Sequence, residues 1–244
     1  MHADPKLIEL TSHKRRMLGV VLDELFAQID LTDSQYETAK ARYEAVSAWL
    51  AEGESPFLQD AAIYAQGSIA VGTANKPIGR AEFDVDLVCH LPSVGATSSP
   101  AAVKALIGDR LKGHATYASM LEEKQRCWRL CYANEFHLDI TPSIPNPACG
   151  NGGELVPDRA LSAWKPTNPK GYAARFEQYA ALRPKLTLRE AAIAAKRADV
   201  ADFPEQEMRK PSLKRIVQLL KRHRDASFAA PGRSELAPIS VILT

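Results

Sequence analysis

The sequence predicts an α+β fold, a mixed β-sheet flanked by helices, and three observations predict it. Period-two runs of apolar residues occupy 83–91, 127–132 and 135–141 of this 244-residue chain. Apolar residues at helical spacing fill 7–27, 33–50, 101–111, 170–182, 188–198 and 212–228. The strand-like runs cluster in the middle of the chain, with helices before and after them.

In the first helix Leu18, Val21, Leu22 and Leu25 recur between charges. Thr32 and Asp33 offer the N-cap of the second helix, which carries Tyr36, Ala39, Tyr43, Val46 and Leu50 and is ended by Gly53 and Pro56. A strand over 61–65 leads into Gly67-Ser68, and the run 83–91 is stopped by Pro92. After the helix at 101–111 a short one covers 117–123. Ala133-Asn134 then makes a hairpin turn between the strands at 127–132 and 135–141. Residues 142–169 are dense in Pro, Gly and Asn and read as an irregular, functional surface segment, with the Gly150 to Gly153 stretch a turn. The chain divides into a core at 1–165, N-terminal helices included, and a helical lobe at 166–244. Its last run, 236–244, starts an apolar helix that stops after two turns, so the lobe reads as cut short.

An apolar content of 45% buries an ordinary core without disulfides. Cys89, Cys127, Cys131 and Cys149 lack paired metal-ligand spacing and read as reduced thiols. No stretch approaches the ~18 uninterrupted apolar residues of a membrane span, and residues 1–16 lack the apolar centre of a signal peptide, so the cytoplasm is the expected compartment. A net charge of +2 gives no bulk attraction to nucleic acid. Positive charge gathers instead on one amphipathic helix, where Lys210, Lys214, Arg215, Lys221, Arg222 and Arg224 precede any acid. That face is either solvated or built for a triphosphate.

The residues that carry chemistry are acids. In an extended strand, positions i and i+2 share a face roughly 6.5–7 Å apart. Asp84 and Asp86 therefore project together, while Phe83, Val85, Leu87, Cys89 and Leu91 face the core. Asp139 projects likewise from 135–141, between inward Leu138 and Ile140. Glu82 lies on the face of Asp84, and His90 and His137 read as strand-end residues. Carboxylates are what Mg²⁺ prefers, a few of them together with substrate phosphates. Two such ions roughly 3.5–4 Å apart stabilise the attacking and leaving oxygens of a phosphoryl displacement.

The ordered strings Gln66-Gly67-Ser68, Glu82-Phe83-Asp84-Val85-Asp86-Leu87-Val88 and His137-Leu138-Asp139-Ile140-Thr141-Pro142 resemble the polymerase-β-like nucleotidyltransferases. Within them the chain resembles the bacterial cGAS/DncV-like enzymes of cyclic-oligonucleotide antiphage signalling, with Leu219-Leu220-Lys221-Arg222-His223-Arg224-Asp225 a supporting match. The resemblance runs from about Gln59 to the end of the chain. It implies the polymerase-β-like nucleotidyltransferase fold, with 1–165 as the catalytic core. It implies two Mg²⁺ ions, with Mn²⁺ as an alternative, held by the catalytic acids Asp84, Asp86 and Asp139. Gln66, Gly67 and Ser68 would hold donor phosphates, and Lys221, Lys214 and Ser240 would reach the triphosphate.

The activity implied is template-independent joining of nucleoside triphosphates, ATP among them, into a cyclic di- or trinucleotide messenger with release of pyrophosphate. A messenger-activated effector and regulators are the implied partners. Two other readings stand beside it: transfer to RNA, a linear oligoadenylate or a small molecule, and a non-catalytic nucleotide-binding module.

Overall fold

The computed structural model describes residues 11–79, 81–133, 135–158, 162–182, 199–207, 210–229 and 236–237. The expected helix at 188–198, the terminal run beyond 237 and Ser240 lie outside them. Helices α1 (Ser12–Ile29) and α2 (Asp33–Ala51) come first, the second closed by a capping box between Thr32 and Gln35. A turn of helix, α3 (Pro56–Gln59), leads to β1 (Ala62–Gln66), a second turn, α4 (Gly67–Ala70), and β2 (Phe83–His90). Next are α5 (Pro100–Lys112), α6 (Ala115–Met120), β3 (Leu121–Glu123), β4 (Trp128–Tyr132) and β5 (Phe136–Pro145). The chain continues through β6 (Glu154–Asp158), β7 (Ala163–Thr167), α7 (Pro169–Ala180), β8 (Asp199–Val200) and α8 (Ser212–Ser227).

The sheet runs β3-β4-β5-β2-β1-β8, with β6 and β7 branching from the end of β5. It is mixed as expected: β2 and β5 are parallel, as are β1 and β8, while β1–β2 and β4–β5 are antiparallel. Phe83, Val85, Leu87, Cys89 and Leu91 all turn inward, packed with Leu130, Leu138, Ile140, and Ile107 of α5. Among the described residues no helix is long and apolar enough to cross a membrane. The four cysteines are free, and burial pushes the Cys89 thiol up to about 12.

Several expectations are corrected. The segment 142–169 is not irregular: it holds the end of β5 and the β6–β7 hairpin. Its prolines are tolerated because Pro157 and Pro166 sit in a two-stranded arm where β7 pairs with β6 alone. The short helix expected at 117–123 ends at Met120, because Leu121, Glu122 and Glu123 pair with β4. Strand β8, from the part of the chain expected to be helical, pairs with the free side of β1, and the extended stretch after it buries Phe203 against Tyr36 and Tyr43 of α2.

The basic helix α8 is also turned over. Its buried face is Lys214, Val217, Gln218 and Lys221, while Ile216 and Leu220 are exposed. Polar residues point inward because acceptors meet them: Lys221 Nζ donates to the Thr73 carbonyl at 2.8 Å, Gln218 Nε2 to the Ala74 carbonyl at 2.9 Å, and Lys214 Nζ is held by Glu177 and Glu207.

Candidate active site

Cross-strand register assembles the site. Asp86 of β2 lies opposite Gln66 of β1 on one side and Asp139 of β5 on the other, and Asp139 lies opposite Arg129 of β4. One row across four strands thus reads Gln66, Asp86, Asp139, Arg129. Because side chains alternate, Asp84 joins the same face two residues along.

At the end of β1, Gly67 adopts φ +63, a left-handed conformation that glycine enters without strain. A side chain there would also collide with the site, since a Cβ on Gly67 would stand 2.1 Å from Asp86 Oδ2. Glycine is thus required twice over where the backbone passes the acid. Ser68 follows in the first turn of α4 and lines a cleft of about 610 Å³ with Asp84, Asp86, Lys221, Arg224 and Asp225. Pro77, Ile78, Phe83 and Phe228 add an apolar wall. An apolar slot with a few convergent polar groups is the usual form of a small-molecule site.

The electrostatics are those of crowded acids. Burial pushes Asp86 up to about 7, and the Asp139 and Asp84 charges push the same way, against Arg129 and Lys221. Asp84 is raised too, first by the protein mass that crowds water from one side of a side chain that stays 55% exposed, with Arg129 opposing. Burial holds the Lys221 ammonium down at about 8, with neighbouring Arg224 adding to the effect.

Arg129, which sequence reasoning missed, forks onto Asp139 through Nε at 2.6 Å and Nη2 at 2.8 Å, and Nη2 reaches Asp84 Oδ1 at 3.1 Å. Asp139 raises its pKa further above the ordinary arginine range, so it stays charged. His137 stands 2.8 Å from Glu82 and 3.6 Å from Asp84, nearer the acids than a strand-end role implied. His90 belongs to a separate polar cluster, where its Nδ1 lies 3.0 Å from Ser143 Oγ. In that cluster Ser143 and Tyr64 each bond Glu154 at 2.6 Å.

The structure therefore brings together Gln66, Gly67, Ser68, Asp84, Asp86, Asp139 and Lys221. Lys214 is placed elsewhere, its Nζ held by Glu177 at 2.7 Å and Glu207 at 2.8 Å. Among the described residues no three carboxylate, imidazole or thiol side chains are arranged, as they stand, to hold a metal ion. The Arg129 guanidinium lies among the acids instead. The donor set nonetheless suits a hard divalent cation: three carboxylates share one face, and one of them, Asp86, is driven toward neutrality by burial and by its neighbours' charge.

Comparison with known proteins agrees with this geometry. The family model described as the Second Messenger Oligonucleotide or Dinucleotide Synthetase domain matches residues 19–179. The chain belongs to that family. A c-di-GMP synthase from Roseivirga ehrenbergii is 32% identical over 236 residues, covering 96% of this chain and 61% of the relative. The cyclic dinucleotide synthase CdnG of Bradyrhizobium diazoefficiens is 32% identical over 247 residues, covering 93% and 57%. The chain thus spans about three fifths of the length of these curated relatives.

Among solved structures, the B. diazoefficiens CD-NTase CdnG in complex with GTP superposes with a TM-score of 0.66 at 27% identity, over 92% of this chain and 68% of that one. The GTP-bound Vibrio cholerae DncV superposes at 0.60 with 15% identity, over 90% and 66%, and shows a shared fold. The expected polymerase-β-like fold is therefore present.

Proposed function

We propose that the protein is a template-independent nucleotidyltransferase that joins nucleoside triphosphates into a cyclic dinucleotide, releasing pyrophosphate. The observation that carries this is the co-facial set Asp84, Asp86 and Asp139 beside the Gly67-Ser68 turn, with Ser68, Asp84 and Asp86 on the wall of a nucleotide-sized cleft. GTP is the preferred substrate in this reading, supported by relatives named as a c-di-GMP synthase and as CdnG in complex with GTP.

Asp84, Asp86 and Asp139 would hold two Mg²⁺ ions, which supply charge stabilisation to the attacking and leaving oxygens. Ser68 and the backbone at Gly67 receive the donor's β and γ phosphates, and Lys221 adds a cation on the same wall. The 3′ oxygen of one nucleotide bonds the α phosphorus of the next as the bond to pyrophosphate breaks. Asp139, at the acceptor side of the row, draws the hydroxyl proton away. A second round of the same step closes the ring. Residues 1–165 form the catalytic core in this reading, and 166–244 contribute the helix α8 that walls the cleft with Lys221, Arg224 and Asp225. The product serves as a second messenger in antiphage defence, read by a messenger-activated effector.

The test incubates the protein with radiolabelled GTP and ATP and Mg²⁺, treats the products with phosphatase and separates them by chromatography. A phosphatase-resistant cyclic product from the wild type, lost in Asp84→Ala with Asp86→Ala, is expected. A linear ladder would point to tailing chemistry, and unchanged product from the double variant would overturn the assignment.

A further inference from the structure

We infer that Arg129 is a built-in counter-cation of the acid site, and that a divalent cation loads by taking Asp84 from Arg129 while Arg129 stays forked on Asp139. This rests on the divalent-cation site proposed above and concerns how that site is filled.

The asymmetry of the contacts carries the argument. Asp139 receives two hydrogen bonds from the guanidinium, at 2.6 and 2.8 Å, in the bidentate arrangement that makes arginine–carboxylate pairs strong. Asp84 receives one, at 3.1 Å, and its side chain is 55% exposed against 15% for Asp139. The contact that yields first is therefore the one to Asp84.

The backbone of Arg129 is anchored in place. Its neighbours Trp128 and Leu130 are buried on the opposite face of β4, and the Trp128 indole N–H donates to the Lys104 carbonyl at 2.8 Å. The hairpin register keeps Arg129 directly opposite Asp139.

Charge decides what the site draws in. The acids Asp84, Asp86, Asp139 and Glu82 outnumber the cations Arg129 and Lys221 around them, so the site attracts positive charge. Asp86 accepts no hydrogen bond from Arg129 among the contacts described and lies against Gly67. An arriving cation is drawn to Asp86 first and completes its shell with the adjacent, weakly held Asp84.

A merely structural salt bridge implies the opposite response to removing Arg129. If Arg129 only orients Asp139, its loss weakens cation binding. If it competes for the acids, its loss strengthens binding, because a repelling charge and a rival ligand both go.

The probe is Mn²⁺, with free ion measured by electron paramagnetic resonance at pH 7.5 and low salt. Arg129→Met, which keeps a stem and drops the charge, is expected to bind Mn²⁺ about tenfold more tightly than wild type. Arg129→Lys, which keeps the charge, is expected to stay within about threefold. In chelator the Met variant is expected to melt below wild type, and Mn²⁺ is expected to raise its melting temperature more than it raises that of wild type. Should Arg129→Met not fold, Arg129→Gln carries the same expectation.

Equal or weaker Mn²⁺ binding by the folded variant overturns the inference. Asp86→Asn separates the two claims: if it loses Mn²⁺ while Arg129→Met gains nothing, only the counter-cation role falls. If Asp86→Asn binds like wild type, the ion lies elsewhere and both readings fall.

Discussion

Gly67→Ala asks whether the turn beside Asp86 is as tightly fitted as it looks. At φ +63 an L side chain is strained by about 1–2 kcal/mol. The new Cβ would also stand 2.1 Å from Asp86 Oδ2, so the carboxylate or the turn must move by at least about 1.3 Å to restore ordinary contact. Forcing a buried acid off its position adds roughly 1–3 kcal/mol.

Gly79 is the matched control: its φ is +64 and a Cβ there meets nothing within 4 Å. Gly79→Ala therefore carries the backbone strain alone. Urea unfolding of the two variants is expected to show Gly67→Ala less stable than Gly79→Ala by roughly 1–3 kcal/mol. A displacement of about 1 Å at a reacting site is also expected to cost about 100-fold in turnover, whereas Gly79→Ala remains near wild type. If the two variants unfold together within about 0.5 kcal/mol and turn over alike, the close approach of Gly67 to Asp86 plays no part.

In the metal-free protein, Mn²⁺ affinity is expected to rise with pH through about 7 as Asp86 ionises, and triphosphate affinity to fall with pH through about 8 as Lys221 loses its proton. Mn²⁺ affinity that stays flat from about pH 6 to 8, or triphosphate affinity that stays flat from about pH 7 to 9, would contradict the corresponding assignment. In chelator the sign for folding runs the other way: Asp86 is raised when folded, so the native chain holds the extra proton from about pH 4 to 7 and loses stability as pH rises through that window. Asp86→Asn is expected to flatten this slope, as read by urea unfolding at pH 5 and pH 8. Lys221→Met is expected to weaken triphosphate binding by at least about tenfold in calorimetry, and Lys214→Met by less than threefold, because Glu177 and Glu207 already engage Lys214. Glu154→Ala strands the Tyr64 and Ser143 hydroxyls in a buried pocket and is expected to lower stability by about 2–4 kcal/mol, measured by urea unfolding.

The acids were legible because alternation alone puts Asp84 with Asp86, and a second alternating run carries Asp139. Their meeting depends on β2 pairing in parallel with β5 at one register, which no local signal encodes. Arg129 was hidden by a single residue. A two-residue turn at Ala133-Asn134 sets Arg129 opposite Leu138, on the wrong face, whereas the chain uses a longer loop in which the Glu135 N–H bonds the Tyr132 carbonyl at 2.9 Å. Placing Tyr132 opposite Phe136, whose rings stack at 5.1 Å, was the available clue.

Lys214 and Lys221 lie two turns apart on one helix face, so periodicity could not say which reaches the cleft; Glu177 and Glu207 decide it. The two-residue strand β8 carries no pattern long enough to read. Hydropathy misplaced the buried side of α8, because acceptors at Thr73 and Ala74, from the segment that follows the Gly67 turn, draw in its polar residues.

The most direct measurement is anomalous scattering from crystals of the protein grown with Mn²⁺ and a non-hydrolysable GTP analogue. The expected map places a manganese peak within bonding distance of Asp84 and Asp86, with Asp139 facing the acceptor side and the triphosphate lying along Ser68 and Lys221. Manganese bound away from these carboxylates, or nucleotide seated outside the cleft, would contradict the catalytic site at its root.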